Sequence, residues 1–544
     1  MASKSNLQTD TIFFGAFITT VIILPEWSYD PVSAPKLVIV ALTAGLGLSM
    51  QLIQRNGVKG TNATLDIFSI LVYSFVALLL LNVLVNHYAF SERIYGIRGR
   101  GTGLLAFISL ATISYVIARN KSSIRLFSFL LLSNVLVCGY FVLQTLKIDP
   151  FPVENFYSAP SSTLGNPNFV SGFSGFSTLA ILYFVDRRNK FRLIIASMFL
   201  LLNLFVLYRS DSVQGLLGLM VGAFVYISLN LARSTKLRIT LWFHVVALPL
   251  ILVALSGFLG RGPLARALES SSVLSRLDYW RAAIRMAGDN LAFGVGMDGF
   301  GDFYRMYRDQ AAINRFGPEQ TSDSAHNVFL DLFAYGGIPL GTVFLILSTY
   351  PAVLLLVKVL KSSDDDRIGI LLLTIWVAFQ IQACVSVNQL GVAIWGWILF
   401  GSMTSHCRNR ELHKSESSKN KRNLSGLNIM SGTLLAMTAP LVVFPQLISE
   451  IKFLSYANQA DGNSLNNLVT AWPQDSRRLN LIARGWIDVG NLPRARELIL
   501  EGAASNPNYY PNWYLLYKLP NATPQEREKA LLEMLRLDPI TEPK

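Results

Sequence analysis

Charge is scarce in this chain. Of its 544 residues only 15% are Asp, Glu, Lys or Arg, while 52% are hydrophobic. Soluble proteins carry roughly one quarter charged residues, so a soluble globular fold is excluded at the outset. A mean hydropathy of +0.41 agrees. Cysteine is scarcer still. Cys138 and Cys384 fall in apolar runs and Cys407 in a loop rich in Lys and Arg, which excludes a disulfide framework. With 5 histidines there is no His/Cys spacing of the kind that holds zinc. Acidic residues are outnumbered, 34 against 47, for a net charge of +13. In so apolar a chain that excess belongs to cytoplasmic loops, and no nucleic-acid partner is expected.

What is present is a succession of apolar runs. About thirteen are long enough, or nearly so, to cross a bilayer as helices. They lie at roughly 11–25, 34–54, 64–86, 102–118, 124–145, 167–185, 191–208, 213–231, 239–259, 327–357, 368–387, 390–405 and 427–447. The first lacks a small-residue cleavage pattern and reads as an uncleaved helix. The expected fold is an all-α integral membrane protein of about 12–13 transmembrane helices with a large external loop and a C-terminal helical-repeat tail. Alternate loops gather the basic residues: Arg55 and Lys59; Arg119 and Lys121; Arg187, Arg188, Lys190 and Arg192; Arg233, Lys236 and Arg238; Lys358, Lys361 and Arg367. The stretch from Arg408 to Arg422 adds more. The positive-inside bias puts the N-terminus in the cytoplasm and the 260–326 loop and the tail outside. The divisions are 1–259 and 327–447 for the membrane helices, 260–326 for the loop and 448–544 for the tail. Asp364, Asp365 and Asp366 sit in a cytoplasmic loop and read as a solvated cluster, not a metal site.

The external loop is the longest insertion between spans, and loops of that length usually carry function. Its SRLDYWRAAIRMAGDN segment predicts a helix over about 276–288, with Ser275 as N-cap and Asp278 completing a capping-box-like start. Arg276 and Trp280 then share one face. The glycines of GVGMDGFGDF follow no βαβ pattern and do not make a nucleotide site. The loop's cations are Arg261, Arg266, Arg276, Arg281, Arg285, Arg305, Arg308 and Arg315, with no lysine. An arginine fork can take phosphate or carboxylate bidentately. Most should pair with Glu269, Asp278, Asp289, Asp302 or Asp309, leaving one or two for a ligand.

His326 ends this loop, immediately before an apolar helix, in HNVFLDLFAYGGIPLG. By itself it is as readily a polar helix-start residue as a functional one. Other polar spots fall on the same side: Arg98 and Arg100 in YGIRGRGTG, Asn166 and Asn168 in GNPN, and Arg209, Asp211 and Gln214 in YRSDSVQG. Each alone fits snorkelling or capping, but together they outline a cationic cavity at the membrane interface.

The HNVFLDLFAYGGIPLG run after RLDYWRAAIRMAGDNLAFGVGMDGFGDFY resembles the core of the bacterial O-antigen ligase and polymerase family, as do GNPN and SVQGLLGL. The likeness covers residues 60 to 400 approximately. It implies a metal-independent membrane glycosyltransferase on the outer face of the cytoplasmic membrane, with no cofactor. The donor would be a glycan on undecaprenyl pyrophosphate, and the acceptor a hydroxyl on a lipid, a glycan or a protein. The family's loop histidine maps onto His326 as the catalytic base, and its external arginines onto Arg98, Arg100 and Arg209. Arg276, Trp280 and Asn327 join them as expected substrate-binding residues, Asn327 by orienting His326. The chain departs where relatives have Ser-Arg-Gly (here Ser212-Val213-Gln214-Gly215), an acidic residue (Tyr335) and a proline (Leu291). Ligase, polymerase and protein O-glycosylation stay open. A transporter or flippase of lipid-linked sugars would share the spans and the cavity, but the spans carry little of the charge it would use.

Beyond about residue 450, SRRLNLIARGWIDVGNLPRARELILEGAASNPNYY fits one tetratricopeptide unit. Leu479, Ala483, Trp486, Gly490, Ala495 and Pro507 fall at its key positions. Trp513 opens a second unit and a helix near 524–537 closes it. Such a unit must stack on something, and protein interaction or acceptor presentation is the expected role. A scaffold alone would leave the large loop unexplained.

Overall fold

The computed structural model describes residues 7–54, 66–120, 124–153, 157–186, 188–233, short pieces between 243 and 256, 271–362, 366–412, 426–457 and 462–541. Arg261, Arg266, Glu269, His413 and most of the expected 239–259 span lie outside the described residues. Among the described residues all regular structure is helical.

The membrane body is built from α1 (Leu7–Val21), α2 (Ser33–Gln54), α3 (Ile67–Val85), the short α4 (Phe90–Tyr95), α5 (Leu104–Arg119), α6 (Arg125–Thr145), α7 (Pro167–Ser177), α8 (Lys190–Arg209) and α9 (Val213–Ala232). After the external segment follow α13 (Val328–Lys361), α14 (Arg367–Ala383), α15 (Leu390–Leu412) and α16 (Gly426–Ala457). Seven of these are long and apolar enough to cross a membrane, and Leu104–Arg119 and Arg367–Ala383 are shorter apolar helices. This is an all-α, multi-pass membrane protein. Phe75, Phe107, Phe344 and Trp397 interlock at its centre, with ring centroids 5.6–6.1 Å from the Phe75 ring. Where helices approach closely the residues are small. A Cβ on Gly215 of α9 would lie 2.0 Å from the Ser171 carbonyl oxygen of α7.

Three expectations need correction here. The 167–185 span is not one α-helix: α7 ends at Ser177 and continues as a 3-10 turn, Thr178–Tyr183. Cys407 lies within α15 rather than in a loop. The 328–361 helix is not continuous either. Gly337 has φ 66° and ψ −166°, and α13 breaks there. The freed backbone groups find partners in the glycine-rich loop. Val295 N donates to Ala334 O at 2.8 Å, Gly296 N to Tyr335 O at 3.0 Å, and Ile338 N to Leu291 O at 2.8 Å. Asn82 of α3 donates to both Phe293 O and Tyr335 O. The Gly337 φ and a Cβ position 2.4 Å from Leu291 O both demand glycine. Residues 291–296 therefore pair the freed backbone of a broken membrane helix.

The external segment carries α10 (Ser271–Asp289), α11 (Phe300–Tyr307) and α12 (Gln310–Phe316). The α10 helix starts before Ser275, so Ser275 is not its N-cap, and Asp278 instead binds Arg281 and Arg315. The tail folds as α17 (Gly462–Val469), α18 (Ser476–Asp488), α19 (Leu492–Ser505), α20 (Tyr510–Lys518) and α21 (Pro524–Leu537), with α18 packed on α19 and α20 on α21. It is docked on the external segment by buried charge. Arg308 donates to Asp538 at 2.6 Å, both side chains 1% exposed, and Arg305 reaches the same oxygen at 3.0 Å. Arg477 binds Asp302 at 2.6 Å.

Asp538→Ala would strand the buried Arg308 guanidinium, a loss of about 3–5 kcal/mol. Limited proteolysis and thermal unfolding should show the tail released at lower temperature. Glu319→Ala, which removes an exposed partner of Arg305, should change neither.

Candidate functional site

At one end of the helix bundle the loops enclose a cavity of about 680 Å³. It is lined by the α1–α2 loop, the 98–100 turn, the segment leading into α7, Arg276 of α10, Asp323, His326, and Ser386 and Gln389 before α15. The opposite end gathers Arg119 and Arg408 about Asp66, and Lys358, His406 and Asp366 together. Asp366 also caps α14 and so supplies both a helix cap and an ion pair, while Asp364 and Asp365 lie outside the described residues.

The 97–102 turn is gripped by two carboxylates from distant segments. Asp298 accepts from Ile97 N at 2.8 Å, from Thr102 Oγ1 at 3.0 Å and from the Tyr335 hydroxyl at 3.2 Å. Asp30 accepts from Gly99 N at 3.0 Å. Gly99 has φ 82°, which lets the turn present Arg98 and Arg100 side by side to the cavity. Arg100 forms a forked pair with Asp323, at 2.7 Å and 3.3 Å. Burial opposes the Arg100 charge, but Asp323 outweighs it and holds the guanidinium protonated. Burial likewise opposes the Asp323 charge, and Arg100 keeps that carboxyl well below the usual range.

Arg98 and Arg276 differ. Among the described residues neither has a carboxylate ion-pair partner. Arg98 lies over the Tyr29 ring, 4.2 Å from its centroid. Arg276 is 8% exposed with its Nε lacking a hydrogen-bond partner. The other described loop arginines are spent: Arg281 and Arg285 on Asp309, Arg315 on Asp278, Arg305 and Arg308 on Asp538. The cavity thus holds two cations with unused capacity for an anion.

His326 sits on a strained turn, with φ 53°. A non-glycine residue pays roughly 1–3 kcal/mol for such a conformation. The turn is locked by Ser324 Oγ accepting from His326 N at 2.9 Å and by Asp331 Oδ1 accepting from Ala325 N at 2.6 Å. Nδ1 lies 3.3 Å from Ser324 O. A carbonyl oxygen only accepts, so Nδ1 carries the proton and Nε2 keeps its lone pair. Burial first, then Arg100 and Arg276, push the imidazole pKa down to about 3, against the pull of Asp323. The ring is neutral at physiological pH, and proton affinity would return to it with negative charge placed among the arginines.

Not every expected residue reaches this cavity. Arg209 is exposed at the end of α8 and does not line it. Trp280 packs on Val385 instead. Asn327 does not orient His326: its Oδ1 accepts from Phe329 N and Leu330 N and caps α13. Gln214 donates to Asn168 O and ties α9 to the chain entering α7. Asn166 and Asn168 do line the cavity. Tyr29, Asp30, Asp298 and Asp323 were not anticipated. Asp323 lies three residues before His326, and its charge beside an arginine-rich loop was the available signal.

Among the described residues no group of three or more His, Cys, Asp or Glu side chains is placed to hold a metal ion. No curated protein matches the chain. Residues 196–345 match the family model described as O-antigen ligase. That segment, which includes Arg276 and His326 of the cavity, is where this multi-pass membrane protein is similar to the O-antigen ligases.

Proposed function

We propose that the chain is a glycosyltransferase that moves glycan from an undecaprenyl-pyrophosphate donor to a hydroxyl on a lipid, glycan or protein acceptor. The observation that carries this is the meeting of a neutral histidine with Arg98, Arg100 and Arg276, drawn from three distant segments, in one interfacial cavity. Arg98 and Arg276 bind the pyrophosphate, with Arg100 held beside them by Asp323. The guanidinium groups offset charge developing on the leaving pyrophosphate, so the reading invokes no metal. His326 Nε2 takes the proton of the acceptor hydroxyl as its oxygen attacks the anomeric carbon. The C1–O bond to pyrophosphate breaks in the same step, and the electron pair leaves with the phosphate. Bound donor offsets the arginines' effect on His326, so its basicity appears only in the loaded site.

The cavity end faces the outside of the cytoplasmic membrane in this reading, because Lys and Arg gather in the loops at the other end. Cysteine introduced at exposed Glu319 should react with an impermeant reagent on intact cells. Reaction only after lysis overturns the orientation.

His326→Ala should lower the transfer rate on the order of 10²- to 10⁴-fold while donor binding stays near normal. Arg98→Ala and Arg276→Gln should weaken donor binding itself. The assay is transfer from purified lipid-linked donor in EDTA-containing buffer, where the wild-type rate should persist. Near-normal turnover in His326→Ala makes the residue a helix-start histidine and removes the base.

The pH profile follows from the depressed imidazole. The free protein's His326 is already neutral at pH 5, so kcat/KM should show no acid limb from this residue near pH 6.5. A limb at 6.5 that vanishes in His326→Ala contradicts the electrostatic account.

A further inference from the structure

The arginine turn is tied to the C-terminal tail by two continuous lines of contact. The first is polar. Arg478 of α18, 2% exposed, donates to the fully buried carboxylate of Glu450 on α16. Glu450 in turn accepts from the backbone N of Asp30 at 3.1 Å, and its carbonyl accepts from Tyr29 N at 3.3 Å. Asp30 folds its own turn by accepting from Ser33 N at 2.8 Å and holds Gly99 N at 3.0 Å. Gly99 lies between Arg98 and Arg100. The second line is aromatic. Phe453, one helical turn after Glu450 and in one apolar cluster with Leu468 and Leu479 of the tail, packs on Tyr29 with centroids 4.6 Å apart. The Arg98 guanidinium rests 4.2 Å from the Tyr29 ring and 6.0 Å from Phe453.

The aromatic line ends on Arg98 and the polar line on Gly99 beside it; among the described residues Arg98 has no carboxylate ion-pair partner to fix it. A long, free guanidinium loses rotamer entropy on gripping a phosphate unless something holds it in place beforehand. The aromatic faces and the Asp30 turn do that, and both are set from α16 and the tail.

We propose that the tail is a positioning element for the donor site: the Arg478–Glu450 pair and Phe453, acting through Asp30 and Tyr29, set the place of Arg98. Glu450, Phe453 and Asp30 are positioning residues, and events that shift the tail change donor affinity. This rests on the donor reading above.

The test is a double-mutant cycle on the full chain in nanodiscs, reading the affinity for undecaprenyl pyrophosphate without glycan. Glu450→Gln and Phe453→Leu should each weaken binding by at least about fivefold in the wild-type background. In the Arg98→Ala background neither should weaken it further. A merely structural role would weaken binding equally in both backgrounds, and that result overturns the proposal. So does unchanged affinity in Glu450→Gln and Phe453→Leu when Arg98→Ala alone binds poorly. An Arg98→Ala variant with normal affinity overturns it together with the donor reading. If Glu450→Gln does not fold, Phe453→Leu decides.

Discussion

A hydrocarbon layer offers no partner to a backbone amide, and the site depends on how that constraint is met in α13. The helix breaks at Gly337, and the exposed groups of Ala334, Tyr335 and Ile338 must be paired by protein. The 291–296 loop does this, with Asn82 completing the set. Because that loop directly follows α10, closing the break also draws Arg276 toward His326 at the start of α13. The same loop continues into Asp298, which grips the turn carrying Arg98 and Arg100. One unpaired stretch of backbone thus organises three segments far apart in the sequence.

The electrostatics of the cavity follow from that assembly. Paired arginines build the fold: Arg308 with Asp538 and Arg477 with Asp302 dock the tail. Arg98 and Arg276 are left with capacity, and their neighbour His326 is kept neutral by burial and by cations. A histidine of so low a pKa is a poor base in an empty site. In the proposed reaction it becomes a competent one when an anion joins the arginines, which would couple the chemistry to donor occupancy.

Much of this was legible in the sequence, for physical reasons that can be named. Apolar runs at span length marked most of the membrane helices, since burial in lipid demands them. The arginine-only loop and His326 before an apolar helix pointed to the cavity that Arg276 and His326 line, and among the described residues Arg276 has no carboxylate ion-pair partner. Contacts between remote segments were not legible. Asp30 meets Gly99 across 69 residues, and Arg100 meets Asp323 across 223. No local pattern announces such pairs. Trp280 was judged by helical spacing and Asn327 by nearness in sequence, and packing turned both to other tasks; Arg209 was assigned from the resemblance and lies exposed at the end of α8. The 3-10 turn after Ser177 and the break at Gly337 were hidden inside apolar runs, where hydropathy cannot distinguish a straight helix from a broken one.

Attack by a hydroxyl on the anomeric carbon, with His326 as base and pyrophosphate leaving from the opposite face, is a single displacement. It inverts the configuration at that carbon, whereas a covalent sugar intermediate would retain it. The most direct measurement is the anomeric configuration, by NMR, of glycan that the purified protein transfers from a lipid-linked donor of known configuration. Inversion is the predicted result; retention, or no product from the lipid-linked donor, contradicts the account.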